Sequence, residues 1–248
     1  MFKIALDAGH GLHTSGKQTP DGIKEWTLND AVRDRVINYL KDYNVFILNT
    51  DNNEGEVDEP LSLRLSRYKE AGVSAFVSFH HNALKGEWNN ATGVEVYIDK
   101  NPTESDLKLA QAIYSRMVEY TGLKPRGIKR ANFTVINQNS IPAVLCEGGF
   151  MDGNEDYKYI TSEEGQDAYA RAVAEGLIEF LGLKKKSSTT QRNFVDVKGH
   201  YAEKEINEIC EMGIVSGVDT THYMPDKEAT RGEVAIIARN IIRYITGE

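Results

Sequence analysis

The sequence holds only two cysteines in 248 residues, Cys146 and Cys210. They fall in segments that read as separate domains, which excludes a disulfide framework and a cysteine-built metal knuckle; both are expected to be buried thiols. No apolar run approaches the length of a membrane span, so no membrane insertion is expected. Basic residues are outnumbered, 29 Lys and Arg against 37 Asp and Glu, for a net charge of −8. That balance argues against a non-specific nucleic-acid binder and against polybasic attachment to membranes. The amino terminus carries no basic segment, apolar stretch or small-residue cleavage site. The expectation is synthesis in the cytoplasm without a signal peptide, so a target outside the cell is reached only after release.

What is present is an alternation of short apolar runs and helical patterns. Phe2 to Leu6 reads as a buried strand that breaks at Asp7-Ala8-Gly9-His10-Gly11, where two glycines permit a tight backbone path beside an imidazole. A helix is expected from Glu25, with Trp26, Leu28, Val32, Val36, Ile37 and Leu40 recurring on one side. Asn44 to Leu48 reads as a second strand, Leu61 to Ala71 as a helix, and Ser74 to Phe79 as a third strand running into His80-His81-Asn82. Gly93 to Ile98 alternates like an edge strand. A helix from Glu104 to Tyr120, capped by Thr103, precedes two further expected strands, Phe133 to Ile136 and Ala143 to Glu147. A last helix runs from Glu163 to Leu181. Strands and helices alternating at these lengths imply an α/β fold: a mostly parallel twisted sheet with helices on both faces.

Lys184 to Asn193 contains no apolar residue and reads as a solvated linker. Beyond it, two helical patterns, Tyr201–Met212 and Thr230–Tyr244, form a small, mainly helical carboxyl-terminal domain whose thin core calls for a partner. The organisation is therefore residues 1–183, a linker at 184–193, and residues 194–248.

His10, Glu25 and His80 all stand at ends of elements and could face one cavity. Two imidazoles and a carboxylate are a common catalytic zinc set, although a turn histidine without a role fits the same spacing. Neighbouring strand residues point to opposite faces, so His80 and His81 should not both be ligands. His80 is assigned, because it shares a side with Ser78. Glu147, at the end of an apolar strand where Gly148 and Gly149 open the backbone, could take a proton from an activated water; a solvent-facing glutamate is the plainer reading. Asp7 could orient a ligand imidazole or merely form the turn, and His13 lies in a loop, near substrate or simply exposed.

Four ordered motifs sharpen these readings: Asp7-Ala8-Gly9-His10-Gly11, Gly22-Ile23-Lys24-Glu25, Val77-Ser78-Phe79-His80-His81-Asn82-Ala83, and Pro142-Ala143-Val144-Leu145-Cys146-Glu147-Gly148-Gly149-Phe150. Together they resemble the zinc-dependent N-acetylmuramoyl-L-alanine amidases, which include sporulation amidases and phage endolysins, over residues 1–182. The resemblance implies Zn2+ held by His10, Glu25 and His80, with Glu147 as catalytic acid and base. It further implies a peptidoglycan substrate, cut by zinc-activated water at the amide between N-acetylmuramic acid and L-alanine. Asn82, Arg130 and Asn132 would contact substrate, the segment Arg126 to Phe133 lining the groove. Two positions depart from the pattern: His81 replaces a usually small residue, and Cys146 precedes the glutamate.

The carboxyl-terminal motifs Phe194-Val195-Asp196-Val197, Gly199-His200-Tyr201-Ala202, Gly213-Ile214-Val215-Ser216-Gly217, Tyr223-Met224-Pro225-Asp226 and Thr230-Arg231-Gly232-Glu233 resemble one S-layer-homology repeat. The resemblance implies binding of a secondary cell-wall polymer through Asp196, Tyr201 and Arg231. One repeat stands where such domains usually carry three, so either a homo-oligomer forms or the repeat does something else. The plainer reading is a helical hairpin in which Asp226 or Thr230 caps a helix and Gly213 ends one. The expected function is a wall-lytic amidase acting after release, a phage or prophage endolysin. Three alternatives stay open: a mother-cell sporulation amidase, a zinc hydrolase of another amide, and a non-catalytic wall-binding protein.

Overall fold

The computed structural model describes residues 1–137, 140–186 and 194–246. The chain separates into two units, residues 2–184 and the residues that follow. In the larger unit the elements run β1 (Phe2–Ala8), α1 (Glu25–Leu40), β2 (Val45–Asn49), α2 (Leu61–Glu70), β3 (Ala75–Asn82), β4 (Val94–Asp99), α3 (Glu104–Thr121), β5 (Pro125–Ala131), a 3-10 turn (Thr134–Ile136), β6 (Ala143–Phe150), α4 (Asn154–Ile160) and α5 (Glu163–Leu181). The strands form one sheet in the order β2-β1-β3-β6-β4-β5. All pairs are parallel except β4 with β6.

Strand alternation gives the sheet two unequal faces. On one, Ile4, Leu6, Val77, Phe79, Val96 and Cys146 pack under α1, α3 and α5, with Val36, Ile113 and Leu177 buried against them. On the other, Ala5, Phe76, Ala143 and Leu145 are covered by Tyr68 of α2 and by Val135 and Ile136 of the 3-10 turn. The second face has the thinner cover. Asp7, His80 and Glu147 fall on it, because each lies an even number of residues along its strand from Ala5, Phe76 or Leu145.

Two expectations change, and two elements are added. The Gly93–Ile98 segment is not an edge: β4 lies between β6 and β5, with Val94, Glu95 and Val96 all buried. The edge is β5, whose sequence Pro-Arg-Gly-Ile-Lys-Arg-Ala carries too little apolar alternation to announce a strand. Phe133 to Ile136 is not a strand either; Val135 and Ile136 plug the second core, where the Tyr68 hydroxyl donates to the Val135 carbonyl at 2.8 Å. The short helix α4 has no counterpart among the expected elements. Thr103 does cap α3, its hydroxyl accepting from the Asp106 amide while the Asp106 carboxylate accepts from the Thr103 amide.

The smaller unit contains α6 (Glu203–Glu211) and α7 (Arg231–Thr246). Phe194, Val197 and Ile206 form its core, with Ala202, Cys210 and Tyr223 packed on them. Cys146 is fully buried, whereas Cys210 is only half-buried. Most of the expected linker, residues 187–193, lies outside the described residues. Among the described residues, no helix is long and apolar enough to cross a membrane.

Candidate active site

The turn after β1 is built for close approach. A Cβ on Gly9 would stand 2.2 Å from the His80 ring, so only glycine lets the chain pass there. The Gly9 amide donates to the Phe79 carbonyl at 3.0 Å. His10 follows with φ of 67°, a left-handed conformation that costs a non-glycine residue about 1–3 kcal/mol. Arg64 holds it there, donating to the His10 carbonyl at 2.7 Å and the Ala8 carbonyl at 2.8 Å. The same guanidinium pairs with Asp7 at 2.9 Å, both groups being buried. Asp7 also accepts from Thr50 and Ser78. Among the described residues Asp7 makes no hydrogen bond to an imidazole; it anchors the arginine that fixes the His10 backbone.

Glu25 opens α1 and is buried. Its Oε1 lies 3.0 Å from His80 Nδ1 and 3.3 Å from the His81 amide nitrogen. Its Oε2 lies 3.3 Å from His10 Nε2 and makes no hydrogen bond. The His10 and His80 rings meet edge to face at 4.9 Å. One donor atom from each of the three residues lies within 4.8 Å of the others. A buried, unpartnered carboxylate oxygen between two imidazoles is the donor set a divalent cation satisfies, so these residues fit a zinc ion. Without a cation the group is an ion pair. Burial lowers His80, but the Glu25 hydrogen bond and charge outweigh it and raise it, while His80 in turn holds Glu25 low. Burial pushes His10 down to about 4, against the pull of Glu25.

Glu147 pairs in register with His80 on one side and with Glu95 on the other. Residues directly opposite on paired strands share a face, so the three side chains form a row across β3, β6 and β4. Burial raises the Glu147 carboxyl to about 8, with Glu25 and Glu95 adding to the rise and His80 opposing it. Its Oε2 has no hydrogen-bond partner among the described residues. A carboxyl with a pKa near neutrality can both take and return a proton. Cys146 points to the opposite face, where burial pushes its thiol up and keeps it from acting as a nucleophile. Its carbonyl accepts from the Tyr169 hydroxyl at 2.8 Å, which ties α5 to β6 beside Glu147.

Other expected residues are placed differently. His81 turns away from the ligand group and is buried, with Nδ1 2.8 Å from Asn29 Oδ1. Asn29 in turn donates to the Gly9 carbonyl at 3.1 Å. Asn82 donates to Glu95 and accepts from the Ala83 amide. Arg130 is not brought to the site. Strand alternation puts it on the α3 side, where it lines a shallow groove with Ile98, Leu107 and Gln111. Asn132 is exposed beyond the end of β5 and accepts from Asn137 at 2.6 Å. His13 is exposed, 3.2 Å from Glu56. Arg126 and Lys129 both pair with buried Glu95, which stands in register with Glu147, and Lys17 is a cation whose charge acts on Glu147 itself. Glu95 is hard to recognise in the sequence, because a glutamate alternating with valines reads as the wet side of an edge strand.

In the smaller unit, Asp196 accepts from the Tyr223 and Met224 amides, at 3.0 and 2.7 Å. Tyr201 is 91% exposed, and Arg231 is exposed at the start of α7. The Thr230-Arg-Gly-Glu stretch is a capping box. The Thr230 hydroxyl accepts from the Glu233 amide, and the Glu233 carboxylate accepts from the Thr230 amide. A cavity of about 420 Å³ lies between α7 and the loop before it, lined by Gly217, Tyr223, Pro225, Lys227 and Asn240.

Comparison with known proteins identifies the family and the fold. The N-acetylmuramoyl-L-alanine amidase family, which is generally zinc-dependent, matches residues 4–179, and the S-layer homology domain matches residues 193–235. The chain is 33% identical over 195 residues to an endolysin of Bacillus phage SPP1, covering 75% of this chain and 69% of that one. It is 30% identical over 195 residues to the sporulation-specific N-acetylmuramoyl-L-alanine amidase of Bacillus subtilis strain 168, covering 76% and 72%. Among solved structures, the catalytic domain of CwlV, an N-acetylmuramoyl-L-alanine amidase from Bacillus (Paenibacillus) polymyxa var. colistinus, superposes with a TM-score of 0.68 at 27% identity, over 74% of this chain and all of that one. An N-acetylmuramoyl-L-alanine amidase from Clostridium difficile 630 gives 0.68 at 26%, over 73% and 97%. With its helix-flanked, mostly parallel sheet and its conjoined S-layer homology domain, the chain belongs to the N-acetylmuramoyl-L-alanine amidase family and is a peptidoglycan amidase.

Proposed function

We propose that His10, Glu25 and His80 hold a zinc ion and that Glu147 is the proton-transferring group of the amidase. The observation that carries this reading is the pair of buried carboxylate oxygens without hydrogen-bond partners, Glu25 Oε2 and Glu147 Oε2. They belong to residues that both neighbour His80, Glu25 by hydrogen bond and Glu147 by strand register. When bound, zinc polarises the scissile carbonyl and lowers the pKa of a water toward neutrality. Glu147 takes the proton of the attacking water and delivers it to the departing alanine nitrogen; burial keeps its carboxyl in a range where both transfers run. Glu25, at the first turn of α1, keeps its charge beside His80 and lets both imidazoles remain oriented.

The reading extends to biology. The chain acts on the cell wall after release from the cytoplasm, as a phage or prophage endolysin, a role supported by the 33% identity to the phage SPP1 protein. The same residues would serve a sporulation amidase, and timing of expression distinguishes the two. The small domain binds a secondary wall polymer through Asp196, Tyr201 and Arg231, and joins chains into a homo-oligomer. Support for association comes from α7, which exposes Val234, Ile236 and Ile242.

The test is mass spectrometry of muropeptides released from Gram-positive walls, with and without a chelator. Stem peptides beginning at L-alanine, lost on chelation and restored by zinc, are expected. Cleavage within the peptide or between sugars overturns the assigned bond, and chelator-resistant cleavage overturns the metal.

A further inference from the structure

Beyond Glu147, the row across the sheet continues into a cluster that the hydrolytic chemistry does not use. Glu95 is buried, yet it is bound by two cations. Its Oε1 accepts from Asn82 and from the Tyr97 hydroxyl, each at 2.8 Å. Its Oε2 accepts from Arg126 Nε at 2.7 Å and from the Lys129 ammonium. One cation neutralises a buried carboxylate; the second leaves a surplus positive charge. Among the described residues, Glu95 is the only carboxylate within ion-pair distance of either. Both cations remain about one-third exposed. In a chain of net charge −8, a fixed cationic spot beside the reacting row is not a product of general surface basicity.

The backbone is shaped to produce this spot. Residues three apart on a regular strand face opposite ways, so Arg126 and Lys129 should not share a partner. Val94 pairs with Pro125 and Val96 with Ile128, which leaves Arg126 and Gly127 together opposite Glu95. That is a β-bulge, and Gly127 takes φ of 93°, open to glycine alone at little strain. The bulge resets the alternation and turns both cations onto one face. Arg126 is held further by the Phe150 ring, 4.7 Å below its guanidinium, and by the Thr92 carbonyl. Its second terminal nitrogen has no partner among the described residues.

We infer that Arg126 and Lys129, presented by Glu95, form an anion subsite that binds a carboxylate of the stem peptide one residue beyond the scissile amide. The inference rests on the amidase reading of the site. Distance supports the assignment. Adjacent strands stand about 4.8 Å apart, so the two cations, bound to Glu95 one strand over, lie that spacing plus a hydrogen bond from Glu147, roughly 7–8 Å. One extended residue spans about 3.5 Å, and a carboxylate with its hydrogen bond covers roughly the remainder. Specificity would follow, because a residue with a free carboxylate and its amidated counterpart differ in charge at this position.

The test is competition in a wall-lysis assay with the zinc-loaded full chain. The two inhibitors are L-alanyl-D-glutamate and L-alanyl-D-isoglutamine, each with its γ-carboxyl capped as the methylamide, so that only the α-carboxylate or its amide differs. The carboxylate form is expected to inhibit more strongly, by about tenfold to a hundredfold, as a charge-assisted hydrogen bond gives. Arg126→Gln and Lys129→Met should each shrink that ratio, and the double variant should bring it near one. Equal inhibition by the two dipeptides, inhibition by neither, or variants that keep the wild-type ratio would overturn the subsite. Those results leave the amidase reading standing, since it is judged by the bond cut in the same walls; walls cut elsewhere would overturn both.

Discussion

Arg64 Nη2 donates to the His10 carbonyl at 2.7 Å, so a residue of α2 fixes the backbone of a histidine in β1's exit turn. The guanidinium is fully enclosed and its charge is balanced by Asp7. Removing one member of a buried ion pair strands the other, at about 3–5 kcal/mol. Arg64→Met should therefore lower stability by that order in urea denaturation. It should also weaken zinc binding by about tenfold to a hundredfold, because His10 loses the support of its strained backbone. Unchanged zinc affinity in a destabilised but folded variant would show that Arg64 is structural only.

Gly9 offers a sharper probe, since its defect is confined to the ligand group. A methyl placed 2.2 Å from the His80 ring has to displace that ring, because the Gly9 amide is tied to the Phe79 carbonyl. Gly9→Ala should fold with a loss of about 1–3 kcal/mol, the usual range for overpacking. Zinc stoichiometry and wall lysis should both collapse. A variant with full zinc content would mean that the turn yields rather than the histidine.

Much of this was readable in the chain. His10, Glu25 and His80 could be grouped from the sequence because each sits at an element boundary, where a strand or helix end can face a cleft. Glu147 stands out before two glycines, yet by position alone a solvent-facing glutamate is the plainer reading, and only the resemblance to the amidases implies its role. Legibility failed where tertiary contacts overrule local pattern. Glu95 looks wet and is buried, because a strand as polar as Pro125–Ala131 pairs beside it and supplies two cations. Arg130 and Lys129 are neighbours, and only the register of the bulge says which one faces the site. His81 could be excluded as a ligand by alternation, but its link through Asn29 to the Gly9 carbonyl needs α1 in place.

Glu147→Gln keeps the shape of the side chain and removes its ability to carry a proton. The expected result is retained zinc and fold, with lysis reduced by about 10²–10⁴, the usual contribution of a positioned acid–base group. Zinc content by elemental analysis and amine release from walls give the two readouts. Lysis at the wild-type rate would remove Glu147 from the mechanism.

Two buried imidazoles should disfavour the metal-free fold on acidification, each in a defined window. Burial holds His81 and His10 each near 4, below the ordinary 6.5. Between those values these two imidazoles bind protons in the unfolded chain that they refuse in the folded one, so their contribution rises with pH, while the raised carboxyls of Glu147 (about 8) and Asp30 (about 6) contribute in the opposite sense over part of the same range. The contribution is complete above about pH 6.5 and is lost as pH falls toward 4, at about 3 kcal/mol for each imidazole. Urea unfolding of chelator-treated protein at several pH values should show the His81 contribution as a difference, the wild type losing more stability than His81→Asn as pH falls from 6.5 toward 4. A slope unaffected by that change would place the titration elsewhere.

The smaller domain can be judged by removing it. The larger unit's two sheet faces draw their buried residues from Ile4 through Leu183, so a chain ending at Lys186 retains every member of both clusters. It should fold, bind zinc and hydrolyse soluble muropeptides at the wild-type rate. The Asp196, Tyr201 and Arg231 contacts and any gain from several linked copies would be lost together, and linked sites raise apparent affinity by about 10²–10⁴. Co-sedimentation with walls should therefore weaken far more than catalysis does. If Tyr201→Ala in the full chain weakens sedimentation while the mass in solution stays the same, the loss comes from polymer contact. A drop to monomer mass on truncation, with sedimentation unchanged by Tyr201→Ala, would assign the effect to association through α7 instead.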